Sequence, residues 1–149
     1  MTTQVSTAVW SGITKAIFET ATITTAAPAV TANFDVSTQA VQFYTSASAN
    51  SFIFNLRGND STTLEALMAI GQSTTVATLV TCSNSAHYLT AFRIDGNASG
   101  ANGYSFTAKW QGGTASLSGN ANSIDIYTVN VIKTASKTFT LLASQTKFA

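Results

Sequence analysis

Apolar and polar residues alternate with period two over most of this chain. In residues 51–57, Phe52, Phe54 and Leu56 point one way and Ile53, Asn55 and Arg57 the other, as in a strand with one face in a core. Residues 123–133 repeat the pattern at greater length, with Tyr127, Val129 and Val131 set against Ile124, Ile126 and Ile132. Residues 138–143 follow after a turn at 134–137, which predicts a C-terminal hairpin. Shorter β segments are predicted at 15–25, 34–38, 40–45, 73–81, 87–95 and 104–110, with 73–81 and 87–95 as a pair. Gly58-Asn59-Asp60, Asp95-Gly96-Asn97 and the tip at 99–103 are turns. Only residues 61–70 change to helical spacing: Leu64, Leu67 and Met68 form a stripe, Thr62 and Glu65 have capping-box spacing, and Gly71 follows. Short strands with one short helix predict a mainly β domain, an antiparallel β-sandwich or jelly roll with the helix (about residues 61–70) as its lid.

Residues 109–127 form the most structured corner in this reading. A strand ends at Trp110, Gly112 and Gly113 supply a turn open to positive φ, and a strand restarts at Ile124. Trp110, Gly112 and Gly113 are therefore candidate structural residues. At the other end, residues 1–14 lack dense alternation yet carry Val5, Val9, Trp10 and Ile13. They read as an N-terminal arm whose apolar side chains form a candidate interface with a neighbouring subunit, ahead of a single domain at 15–149.

Charge changes the picture by its scarcity. Charged residues make up 9% of the 149 residues and the net charge is +1, against roughly 25% charged in an average globular protein. The basic residues are scattered, which gives no footprint for nucleic acid. No apolar run reaches the ~18–20 residues of a membrane span, and the N-terminus lacks a signal-peptide pattern. The single cysteine, Cys82, excludes an intrachain disulfide and a zinc spacing. Cys82, His87 and Asp95 are the only residues that suggest a nucleophile and base, but a strand filler and a strand-end histidine explain the first two as well. Of the six acids, Asp60, Asp95 and Asp125 fall at a helix start, turns or a strand start, where carboxylates cap backbone N–H groups and do not make a glycosidase pair, and Asp95 with Asn97 falls short of a calcium shell. The expectation is a non-enzymatic protein without cofactor or metal. Trp110 and the tyrosines offer ring faces on which a sugar could stack.

The ordered series Phe43-Tyr44, Asn55-Leu56-Arg57-Gly58, Leu64 to Gln72, Tyr88, Ile94-Asp95-Gly96, Lys109-Trp110-Gln111-Gly112-Gly113, Gly119-Asn120 with Ile124-Asp125, Ile132-Lys133-Thr134 and Leu142-Ala143-Ser144-Gln145-Thr146-Lys147-Phe148 resembles a family of small β domains in structural proteins of tailed bacteriophages, of the marine phage and cyanophage type. The resemblance covers most of the chain from about Ala16 onward, and the chain departs from it by an insertion at 97–104. It implies a virion structural role, with assembly in the host cytoplasm. Two expectations follow. The first is a capsid decoration (cement) protein, a homotrimer that binds the major capsid protein between capsomers. The second is a receptor- or glycan-binding module of a tail fibre or spike, or a tail or neck component. The short stretch ahead of the β domain favours the first.

Overall fold

The protein is described by a computed structural model over residues 21–149, so the predicted arm with Val5, Val9, Trp10 and Ile13 lies outside the described residues. The chain enters strand β1 (Ala21–Thr24) and then alternates between two sheets. Strands β2 (Thr31–Asp35), β4 (Phe52–Arg57) and β6 (Leu89–Ile94) build a three-stranded sheet. Strands β1, β3 (Val41–Ser48) and β5 (Ser73–Cys82) lie in a six-stranded sheet with β7 (Ser105–Trp110), β8 (Ile124–Ala135) and β9 (Thr138–Phe148), in the order β1-β3-β5-β8-β9-β7. The result is the expected mainly β sandwich with one short helix.

Strand direction differs from the antiparallel expectation. The three-stranded sheet is wholly parallel, and in the larger sheet only β8 opposes its neighbours. Parallel neighbours need a long crossover. Among the first six strands each crossover runs through a strand of the opposite sheet, so they wind as a flattened coil, whereas β7 and β9 are joined through β8 of their own sheet. Residues 49–51, between β3 and β4, form an arch from one sheet to the other. Residues 73–81 and 87–95 accordingly do not pair. Strand β5 joins β8, with Val76 beside Val129, and β6 joins β4, with Phe92 beside Phe54. The C-terminal hairpin forms as predicted, with Val131 opposite Leu141.

The core lies between the sheets. Phe34, Phe54 and Leu56 from the small sheet meet Tyr127, Val129, Val131, Phe139 and Leu141 from the large one, all at most 2% exposed. Aromatic rings cross the small sheet in a row. Phe34 and Phe54 are 5.4 Å apart between centroids, Phe54 and Phe92 6.3 Å, and Phe92 and Trp110 of β7 5.6 Å. The first two are edge-on, a geometry that adds roughly 0.5–1.5 kcal/mol per contact beyond burial, and the third is tilted at 37°.

Helix α1 (Leu64–Leu67) is shorter than the predicted 61–70. Upstream, the Asn59 side chain accepts from the Ser61 and Thr62 amides and holds that stretch in a turn. Thr63, not Thr62, is the N-cap, accepting from the Ala66 amide. Glu65 does not close a capping box, because its carboxylate accepts from the Lys137 amide and pairs with Lys133 at 3.0 Å. Two further helix donors, the Leu64 and Glu65 amides, reach Asp95 at 2.6 and 3.1 Å. Buried Lys133 donates to the carbonyls of Glu65 and Met68, at 2.6 and 2.9 Å, and ends the helix there.

Candidate functional site

Two regions outside the core carry features that packing alone does not require. The first is the corner after β7. The short 3-10 turn Gln111–Gly113 turns the chain, with φ of 77° at Gly112 and 80° at Gly113. Residues 114–120 then fold back over the end of the large sheet. Gly119 is the steric pivot: its amide donates to the Ala86 carbonyl at 2.8 Å, and a Cβ there would collide with the His87 carbonyl oxygen. The corner predicted from Trp110, Gly112 and Gly113 thus extends to Gly119, whose constraint is close approach and not positive φ.

A cavity of about 530 Å³ lies under this loop, walled by Trp110, Leu117, Ser116, Ser118, Gln145 and Lys147 among others. Its floor is organised from the core. Gln145 Nε2 donates to Asp125 Oδ2 at 2.8 Å, to the Tyr127 hydroxyl at 3.1 Å and to the Ser118 carbonyl at 2.9 Å. Gln145 Oε1 accepts from Ser116 Oγ at 2.9 Å. Asp125 and Tyr127 are buried, and the Asn120 amide also donates to Asp125. Burial pushes the Tyr127 pKa well up, so the hydroxyl stays protonated. Lys147 Nζ reaches Ser118 Oγ at 3.1 Å and the Gly119 carbonyl at 3.4 Å. Ordinary sequence patterning gives no warning of this arrangement, because its donors and acceptors come from two strands and a loop.

The second region is the outer face of the six-stranded sheet. Ile23, Phe43, Leu79 and Ile126 are register partners in sequence across β1, β3, β5 and β8, so they form one apolar row. Ile124 and Phe148 pair beside it. Ile23 is 68% and Phe148 49% exposed. No charged side chain belongs to this face of β3, β5, β8 or β9, since Asp125, Lys133 and Lys147 alternate to the inner side.

The other sequence candidates have structural roles. Cys82 is buried, its pKa raised by burial and by the nearby Asp125 charge, so it is a protonated thiol. Its sulfur meets the carbonyl oxygen of His87. Asp95 caps α1 and accepts from the Tyr104 hydroxyl at 3.1 Å, while Asn97 closes the adjacent turn through the Asp95 carbonyl. Among the described residues no group of three His, Cys, Asp or Glu side chains could hold a metal, and no helix is long and apolar enough to cross a membrane. Asp35, Arg57 and Asp60 form an ion cluster at the end of the small sheet, and the Arg57 pKa is raised foremost by its hydrogen bond to Asp35. Comparison with protein-family models, with curated proteins and with solved structures finds no match to this chain.

Proposed function

We propose that this chain is a non-enzymatic structural protein of a tailed-phage virion, a capsid decoration protein that assembles as a homotrimer with the outer face of its six-stranded sheet turned toward the three-fold axis. The observation that carries the assembly reading is the uncharged apolar row Ile23–Phe43–Leu79–Ile126. Five strands at ~4.8 Å spacing and three rows at ~7 Å cover on the order of 500 Å², so two such faces approach the ~1,000 Å² of a specific interface. Interface cores are depleted in charge because desolvating a charge is costly, and an apolar row packs against neighbouring copies around the axis without like-charge repulsion. The virion role rests on the motif series in the sequence, and the major capsid protein is then the second partner.

Light scattering after size exclusion tests the assembly. The parent protein is expected to run as a trimer at micromolar concentration, and Leu79→Lys as a monomer with an unchanged β-type circular dichroism spectrum. A monomeric parent overturns self-association, a dimeric parent overturns the three-fold arrangement, and a trimeric Leu79→Lys overturns the choice of face. Antibody labelling of purified virions tests the particle role: label on the capsid is expected, and label on the tail supports the fibre reading instead. The cavity at Trp110 is what favours that second, glycan-binding reading.

A further inference from the structure

The cavity under the loop after β7 has three features that anchoring the loop does not explain. Leu117 projects at the rim with 75% exposure. Trp110, at the end of the aromatic row and backed by Phe92, forms part of the wall. Lys147 touches only neutral acceptors among its described contacts, and no carboxylate lines the cavity. Asp125 sits behind Gln145, its Oδ2 engaged by the Gln145 and Asn120 donors and its Oδ1 buried without a partner.

From these we propose that the cavity binds a carboxylated sugar. A flat indole offers its π face to the C–H face of a pyranose. Ser116, Ser118 and Thr114 hydroxyls can both donate and accept, which suits sugar hydroxyls, and Gln145 Oε1 keeps a second lone pair beyond the one used by Ser116. The amide is held by buried Asp125 and Tyr127, so it need not be ordered when the ligand arrives. Lys147 supplies the cation for the sugar carboxylate. The volume, about 530 Å³, falls in the roughly 300–1,000 Å³ of ordinary small-ligand sites. Trp110 is wall and Gln145 floor, and Lys147 sets the preference for acid. The site is separate from the outer sheet face, so it stands or falls independently of the trimer.

The test uses the full chain with Trp10→Phe, which leaves Trp110 as the sole tryptophan reporter. Its fluorescence is titrated with glucuronate, N-acetylneuraminate and glucose. A saturable change with glucuronate or with N-acetylneuraminate is expected, the responding compound naming a uronic or a sialic acid as the source. Glucose should bind at least about tenfold more weakly, and Lys147→Gln should weaken the acidic sugar by about tenfold, the scale of one charged hydrogen bond. The side-chain amide resonance of Gln145 in the unsubstituted protein gives a second readout that needs no variant. No saturable change in either readout up to tens of millimolar sugar overturns the proposal. So does a response to glucose as strong as to the acids, or an affinity that Lys147→Gln leaves unchanged.

Discussion

Leu141 and Leu142 are neighbours on β9 and occupy opposite environments. Leu141 is fully buried between the sheets, whereas Leu142 is 46% exposed on the outer face. The same contrast runs along β8, where Val129 and Val131 are buried and Ile124, Ile126 and Ile132 are not. Both faces of this sheet are rich in apolar residues, so hydrophobicity alone does not say which is the core. What separates them is their relation to charge and to partners. The inner face admits Asp125 and Lys133 at its ends; Lys133 donates to two carbonyls, and Asp125 accepts through Oδ2 while its Oδ1 stays buried without a partner. The outer face carries no charge on β3, β5, β8 or β9, its one charged side chain on the described strands being Lys109 on the edge strand β7 beside Leu142, and the described residues leave its apolar groups partly uncovered. A face that must bury against water-filled space needs charge for solubility; one that lacks it is suited to a protein partner.

The widest gap between the two faces should appear in stability. Leu141→Ala is expected to cost ~2–5 kcal/mol, the range for a fully buried leucine that leaves a cavity. Leu142→Ala should cost under ~1 kcal/mol in the same urea titration, as a half-exposed position does. Equal costs would mean that the outer face is already packed in the isolated chain, and its role in assembly would fall.

Lys133 sharpens the comparison from the side of charge. Its side chain is 7% exposed, and its ammonium serves two carbonyls and the Glu65 carboxylate. Lys133→Ala is expected to cost ~2–3 kcal/mol, below the ~3–5 kcal/mol for breaking a fully buried pair because Glu65 retains some water. Lys133→Met, which keeps the packing volume without the charge, should restore only a minor part of that loss, because the Glu65 and Met68 carbonyls lose their donor. A Met variant as stable as the parent would assign Lys133 to filling the sheet and not to capping α1.

Trp110 stands at the border between the inner face and the cavity. The corner as read from sequence invites the ~3–5 kcal/mol cost of a buried aromatic, but the indole is only partly buried on the edge strand. Trp110→Ala should therefore cost ~1–3 kcal/mol by denaturant midpoint. A larger loss would make Trp110 a core residue and remove a wall from the proposed sugar site.

How much of this was legible in the chain depends on how far apart partners lie. The β8–β9 hairpin was readable because its turn and both alternating strands are contiguous. Phe52, Phe54 and Leu56 were readable as a core face for the same reason. The parallel coil was not, because its rungs come from distant segments of unequal spacing. Yet it left a trace. Ala32-Asn33-Phe34-Asp35, Phe54-Asn55-Leu56-Arg57 and Phe92-Arg93-Ile94-Asp95 share one apolar–polar–apolar–charged order. The structure stacks them in register, with the Asn55 amide on Asn33 at 2.8 Å and Arg57 on Asp35 at 2.5 Å. Unequal loops, one of them holding α1, hide that repeat from a search for a fixed period. The cavity was only half legible. Trp110 and the glycines mark the corner, but Gln145, Asp125 and Tyr127 converge only after β8 and β9 pair.

The smallest expected effect concerns protons at the rim of the inner face. Tyr104 is buried, its hydroxyl donates to Asp95 Oδ2 at 3.1 Å, and Lys137 Nζ lies 5.4 Å from its ring centroid. Burial first, and the Asp95 charge second, push its pKa up to about 12. In the unfolded chain a tyrosine titrates near pH ~10. The folded state therefore holds the proton more tightly. Its contribution to stability is fully present below pH ~10 and is lost as pH rises through the folded value. Tyr127, raised by burial, loses its contribution on the same alkaline side. The parent should accordingly keep a constant urea midpoint from neutral pH to about pH 9 and weaken above pH ~10. Tyr104→Phe should cost ~0.5–1.5 kcal/mol at neutral pH, the net value of one hydrogen bond. Because phenylalanine has no proton to lose, the gap between variant and parent should narrow as pH rises from 10 toward 12. A gap that stays constant over that range would show that the Tyr104 hydroxyl ionises as it does in water. The contact with Asp95 would then add nothing to the hold on α1, and the inner face would end one residue short of Tyr104.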